Sequence, residues 1–276
     1  MLNKPNLFCI LLGLHYLCSV FGNALTMKRI GIIMIILLMC VGTLCADGIG
    51  HVVILGDSNT WIGGDDCSQP RGWNYWFCQT AKPASCRSYA RSGATWTHTE
   101  KTVCNTKEYT EVLSDNNVIY NQVNRLKKAY EAGEQPRPDL IIIMAGTNDA
   151  WFRFEGVKGE LREGREKKEV TNVQQLEGAV RYDCGLLHEL FPDCRLVLVT
   201  PMQATKTSLS RIRRTGDIIE RCGKALGATV IRLDREGCVN RKQELKKRTF
   251  TTDGVHTNEA GARCIGEMIG LRIGTQ

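Results

Sequence analysis

The stretch VVILGDSNTW, residues 52–61, decides how the chain is read. Three β-branched residues and a leucine run without interruption into Gly56-Asp57-Ser58. Such a run predicts a strand buried on both faces that stops in a tight turn. Ser58 then stands at the carboxyl edge of that strand, with a helix expected to follow. Two readings of its hydroxyl are open. It caps the helix, as serine and aspartate commonly do, or it is a nucleophile held at the rim of a sheet. These ten residues do not choose between them.

Outward from this stretch, short apolar runs alternate with amphipathic segments. Strands are predicted at 51–55, 86–90, 140–145, 195–200 and 229–233, and helices at 72–81, 117–132, 173–190, 209–226 and from about 258 to 273. The runs DLIIIMAG and CRLVLVTP are too continuously apolar for a sheet with one wet face, so helices are expected to cover both sides. Alternation of this kind predicts one α/β domain over residues 47–276, a three-layer α/β/α sandwich with a mostly parallel sheet. No Pro/Gly/Ser-rich linker or internal repeat interrupts it. Ligands of such sheets bind beyond the carboxyl ends of the strands, which is where Ser58 falls.

Polar residues recur at the other strand ends. The second strand leads to Gly93 in ARSGATW and the third to Asn148 in AGTNDAW. Near the carboxyl terminus, TTDGVHTNEAG sets Asp253 three residues before His256, ahead of a helix. That spacing lets the carboxylate hold one imidazole nitrogen while the other faces a cleft. A serine hydroxyl is inert until a base takes its proton, and the base works better with its tautomer fixed by an acid. The backbone N–H groups of Ser58 and Gly93 and the Asn148 amide are the expected donors to a developing oxyanion. Taken singly, each residue also has a plain structural reading. Asn148 and Asp149 suit a turn, Asp253 suits a helix cap, Gly93 suits any tight bend, and Asp57 suits bonding to turn amides.

In order, Gly56-Asp57-Ser58, Gly93, Gly146-Thr147-Asn148-Asp149 and Asp253-Gly254-Val255-His256 resemble the four blocks of the GDSL/SGNH serine hydrolases, over residues 52–270. The resemblance implies a flavodoxin-like α/β/α sandwich. It implies Ser58 as nucleophile, His256 as base, Asp253 as its orienting acid, and Ser58, Gly93 and Asn148 as the oxyanion hole. It implies no cofactor. Asn59 stands where the family's name has leucine. The G-x-S-x-G elbow of the other α/β hydrolases is absent.

The formal charge is +7, but three of the cations (Lys4, Lys28, Arg29) lie in the first 46 residues, which carry no Asp or Glu. Beyond them 33 Lys/Arg face 29 Asp/Glu, too even a balance to imply a nucleic-acid partner. The run KGELREGREKKE, residues 158–169, mixes both signs and reads as a solvated face. Residues 1–46 read as a targeting segment, with Met27 the expected true start. Two basic residues precede a 16-residue apolar stretch, short of the roughly 20 that span a bilayer but suited to a secretory signal. A signal anchor is the competing view. The expected location is therefore outside the cytoplasm, with no membrane contact beyond this segment.

Nine of the 13 cysteines follow the targeting segment. In an exported protein they predict disulfides, with Cys184/Cys194 and Cys222/Cys238 as local candidates. Their spacing shows no C-x-x-C pair or zinc-like cluster, so no metal site is expected.

Trp61, Trp96 and Trp151 each follow an expected site residue by three positions. They read either as stacking faces for a substrate or as core. Trp73 and Trp76 read as core. Asn59 and Arg91 are further candidate substrate contacts, and Arg71 and Arg153 lie near the same loops. His98, close after Gly93, is a candidate for the cleft wall, whereas His51 and His188 lack a partner of the Asp253 type. The predicted substrate is an acetyl or other small acyl ester of a carbohydrate. The same machinery would serve a lipase, thioesterase or lysophospholipase, and the same fold a glycan-binding surface protein without turnover.

Overall fold

The computed structural model describes residues 49–107, 116–152 and 172–274. Residues 1–46, expected to be a targeting segment, Arg153 and the charged run 158–169 lie outside the described residues. Residues 49–276 make one compact unit. Its sheet has five strands: β1 His51–Gly56, β2 Ser85–Ser88, β3 Leu140–Met144, β4 Arg195–Val199 and β5 Thr229–Ile231. They lie in the order β2-β1-β3-β4-β5, and every pairing is parallel. The register sets Val52 beside Leu140 and Gly56 beside Met144.

Successive residues of the central strands point to opposite faces. Val53, Leu55, Ile141, Ile143 and Leu198 pack under α3 (Ile119–Glu131), α5 (Leu176–Leu190) and α6 (Leu209–Ala225). Val52, Ile54, Leu140, Ile142, Val197 and Val199 pack against α2 (Trp73–Ala81) and α9 (Glu259–Gly274). All of β3 is buried, and each such aliphatic side chain contributes about 1.5–3 kcal/mol. The predicted three-layer sandwich is therefore what forms.

Local chemistry sets the helix ends. Ser208 accepts from the Arg211 N–H at the start of α6. Asn258 accepts from the Gly261 N–H at the start of α9. Lys82 closes α2 in a left-handed conformation with φ of 49°. Four short helical turns complete the described chain: α1 Ser58–Trp61, α4 Thr147–Phe152, α7 Leu233–Glu236 and α8 Arg241–Lys246. The strand expected to reach residue 233 ends at Ile231, because Leu233 turns into the core from the first position of α7. Among the described residues, no helix is long and apolar enough to cross a membrane.

The cysteine pairing differs from expectation. Cys238 is joined to Cys264, and Cys184, Cys194 and Cys222 are in no disulfide among the described residues. Cys222 faces the α3/α5/α6 layer whereas Cys238 packs on the α2/α9 side, so the sheet separates that expected pair. Cys184 sits inside α5 and Cys194 beyond its end, both buried in the core.

Candidate active site

In this strand order the chain leaves β1 for β2 on one side and returns to β3 on the other. The carboxyl ends of β1 and β3 therefore diverge into a crevice where ligands of such sheets bind. Ser58 begins α1 directly after β1, and Asn148 lies in the first turn of α4 directly after β3. Gly93 lies in the turn after β2 with φ of +77°, in the left-handed region that a glycine occupies without strain. Because β2 and β3 flank β1, the three turns adjoin one another.

The loop before α9 brings the distant partner. Ser58 Oγ lies 2.9 Å from His256 Nε2, although the residues are 198 positions apart. His256 Nδ1 lies 3.0 Å from Asp253 Oδ2. The other Asp253 oxygen accepts from the backbone N–H groups of Val255 and His256, at 2.9 and 2.8 Å. Burial raises the Asp253 carboxyl, but those two N–H groups and the imidazole outweigh it and hold the group well below the usual carboxylate range. Asp253 therefore stays ionised across the working pH range and fixes the imidazole with a proton on Nδ1. Nε2 is left free to accept from the serine hydroxyl. Geometrically this is a proton relay from an alcohol to an imidazole.

Each turn is braced. Asp57 caps α1 by accepting from the Asn59 N–H at 3.1 Å, and complete burial pushes its carboxyl up to about 6. The Gln122 amide brackets Gly56, accepting from its N–H and donating to its carbonyl, both at 2.8 Å. Asn148 Nδ2 donates to Ala94 O at 2.9 Å, tying the turn after β3 to the one after β2. Asp149 accepts from Trp96 N, Thr97 N and Thr97 Oγ1 at 2.9–3.0 Å, so it anchors the Gly93 loop. Lys206 Nζ lies 3.3 Å from Asp253 Oδ2. Gln122, Asp149 and Lys206 carried no sequence signal for these roles, since each acts on a partner more than 45 residues away.

Three candidate substrate contacts do other work. Asn59 is fully buried. Its amide donates to Val255 O at 3.2 Å and accepts from Thr257 N at 3.1 Å, so it clasps the His256 loop from both sides. Arg91 is 4% exposed and pairs with Asp65 at 2.8 Å and with Ala90 O at 2.7 Å. Trp96 is fully buried in the core.

Trp61 remains half-buried beside a cavity of about 600 Å³ lined by Ile62, Gly64, Asp65, Asp66, Gln69 and Arg71. Ser58, Asp253 and His256 are not among its lining residues, but Trp61 lies three positions after Ser58 on α1, toward the same side. Trp151 is half-buried on α4. Trp73 is buried, and its indole N–H donates to Thr60 Oγ1 at 2.9 Å. Trp76 is only partly buried, with the Arg263 guanidinium 5.1 Å over its ring. His98 packs against Tyr120 and Tyr182, ring centroids 5.1 and 6.5 Å away, and burial lowers its pKa.

Solved structures share this architecture. A protein from Lactobacillus plantarum superposes with a TM-score of 0.56 at 15% identity, covering 83% of this chain and 98% of its own. A lipase/acylhydrolase from Enterococcus faecalis gives 0.51 at 18%, covering 82% and 96%. The acetyl xylan esterase AlAXEase gives 0.50 at 17%, covering 81% and 99%. No curated protein matches the chain at a significant level. Sheet order and structural likeness show an α/β/α hydrolase fold, and a family profile narrows the class to hydrolases of the esterase and lipase type. The chain belongs to the GDSL-like Lipase/Acylhydrolase family, whose profile matches residues 54–264.

Proposed function

We propose that this protein is an exported, metal-independent serine ester hydrolase that removes acetyl or other small acyl groups from a carbohydrate. The observation that carries the proposal is the continuous series from Ser58 Oγ through His256 to Asp253, with contacts of 2.9 and 3.0 Å. Ser58 Oγ attacks the ester carbonyl as its proton passes to His256 Nε2. The oxyanion is held by the N–H groups of Ser58 and Gly93 and by the Asn148 amide, each such donor being worth about 10²–10³ in rate. As the tetrahedral adduct collapses, the leaving alcohol takes the proton from His256. Water, deprotonated by the same imidazole, then attacks the acyl-enzyme and releases the acid.

A carbohydrate substrate is supported by the cavity beside Trp61, where an indole face adjoins two carboxylates, an amide and a guanidinium. That mixture suits stacking and hydrogen bonding to a sugar better than it suits a long acyl chain. One structural neighbour is an acetyl xylan esterase. Export is supported by the amino-terminal targeting signature and by the Cys238–Cys264 disulfide.

The test is hydrolysis of p-nitrophenyl acetate against a long-chain ester. Wild type is expected to prefer the acetate, to lose all but a trace of rate in Ser58→Ala, and to take a fluorophosphonate label at Ser58. Preference for the long chain would favour a lipase. Full rate in Ser58→Ala would end the proposal. Trp61→Ala is expected to raise KM for an acetylated oligosaccharide and to leave p-nitrophenyl acetate nearly unaffected.

A further inference from the structure

Asp66, on the loop that lines the Trp61 cavity, also lines a second pocket, where three cysteines meet. Cys67 lies in the loop after α1, Cys78 in the last turns of α2 and Cys86 in the edge strand β2. Their sulfurs all lie within 4.8 Å of one another, with Cys67 Sγ and Cys86 Sγ 3.4 Å apart. All three are free thiols. The spacing 67, 78, 86 matches no linear metal motif, so the fold alone creates the cluster.

We propose that Cys67, Cys78 and Cys86 form a binding site for a thiophilic d¹⁰ cation of the zinc type. Two observations carry the proposal together. First, the separations bracket the edge of a tetrahedron of sulfurs about a Zn–S bond of ~2.3 Å, which is about 3.8 Å. A disulfide would join only one pair and strand the third sulfur beside it. Second, the cluster is not sealed. It opens on a pocket of about 370 Å³ lined also by Asp66, Ser68, Tyr75 and Gln79, which gives the ion an entry path and room for a water as fourth ligand.

The backbone of Cys67 supports the same reading. Its φ of +58° is one of two positive values at non-glycine residues in the described chain, the other being the helix-closing Lys82. A non-glycine residue holds that conformation only where the surroundings fix it. Here it keeps a buried thiol facing two neighbours. Binding is a proton exchange without electron transfer. Three S–H groups give up three protons, and three thiolates ligate one divalent ion, leaving a net charge of −1 on the cluster. The ion would pin the loop, α2 and β2 to one another at the sheet edge.

The test uses the purified protein and cobalt(II) as probe. The reduced protein is expected to take up one equivalent, with thiolate-to-cobalt charge-transfer absorption in the near ultraviolet and the visible bands of a tetrahedral ion. Zinc should displace it. Cys78→Ser and Cys86→Ser are expected to weaken cobalt binding by about 100-fold or more, while Cys104→Ser, at an exposed cysteine outside the cluster, leaves it unchanged. Protein isolated without reductant or chelator is expected to contain one zinc per chain. Absence of the charge-transfer band would overturn the proposal. So would isolation of a peptide pair linked through Cys67–Cys86, Cys67–Cys78 or Cys78–Cys86 in place of the metal.

Discussion

Asn59 stands next to the proposed nucleophile yet acts on the other end of the chain, holding Val255 and Thr257 on either side of His256. Asn59→Leu keeps the volume and removes both bonds. It leaves a buried carbonyl and a buried N–H unpaired, at about 1–3 kcal/mol each. Stability in urea is expected to fall accordingly. Because a shift of about 1 Å in a reacting group costs on the order of 100-fold, kcat on p-nitrophenyl acetate should fall far more than KM rises. An unchanged kcat would show that the His256 loop holds its position without this amide.

Asp183 offers a second test at the same scale. It is fully buried on α5, and neither carboxyl oxygen has a hydrogen-bond partner among the described residues. Burial first, and then the charge of Asp149, raises its pKa well above the ordinary value. The native state therefore keeps a proton that the unfolded chain loses above about pH 4. Stability must fall as pH rises through that window. Asp183→Asn removes the ionisation. Paired urea melts should show little difference from wild type near pH 4 and a gain of about 1–3 kcal/mol near pH 7.

Among the elements, those that carry the core were legible from the chain. β1, β3 and β4 read correctly because burial on both faces demands an unbroken aliphatic run, and LIIIM and RLVLV supply it. β2 was read one residue too late at its start and two residues too far at its end, because apolar content was the guide and the edge strand SCRS has almost none. The turns α7 and α8 were invisible because LDRE and RKQELK have no apolar period. The residues of the Ser–His–Asp series were legible as local motifs at strand ends. Asn59, Gln122 and Asp149 were not legible as braces, since their bonds join segments with no relation in sequence. The same holds for the cysteines, where spacing pointed to the wrong partners for Cys238.

The observed Cys238–Cys264 bond closes a 26-residue loop that contains Asp253 and His256. The double variant Cys238→Ser/Cys264→Ser is expected to lose about 3 kcal/mol of stability through the added freedom of the unfolded chain. Equilibrium urea unfolding in parallel with wild type measures the loss. An unchanged midpoint would mean that the packing of α9 alone holds this loop.

For the whole molecule, the packing of α9 on α2 joins the two ends of the domain. Gly266 makes the approach close enough. A Cβ there would lie 2.3 Å from Trp73 O and 2.6 Å from Trp76 Cβ. Gly266→Val is therefore expected to push the helices apart and destabilise the fold by at least about 1–3 kcal/mol, seen as a lower urea midpoint. If the midpoint holds, the two helices can separate without cost to the rest.

That closure also dictates timing. The serine turn is made early in synthesis, whereas the imidazole arrives 198 residues later, just ahead of the final helix. A chain still on the ribosome carries the alcohol and nothing to take its hydrogen. On the proposed function, the site gains its base only once the segment carrying His256 has folded against the serine turn.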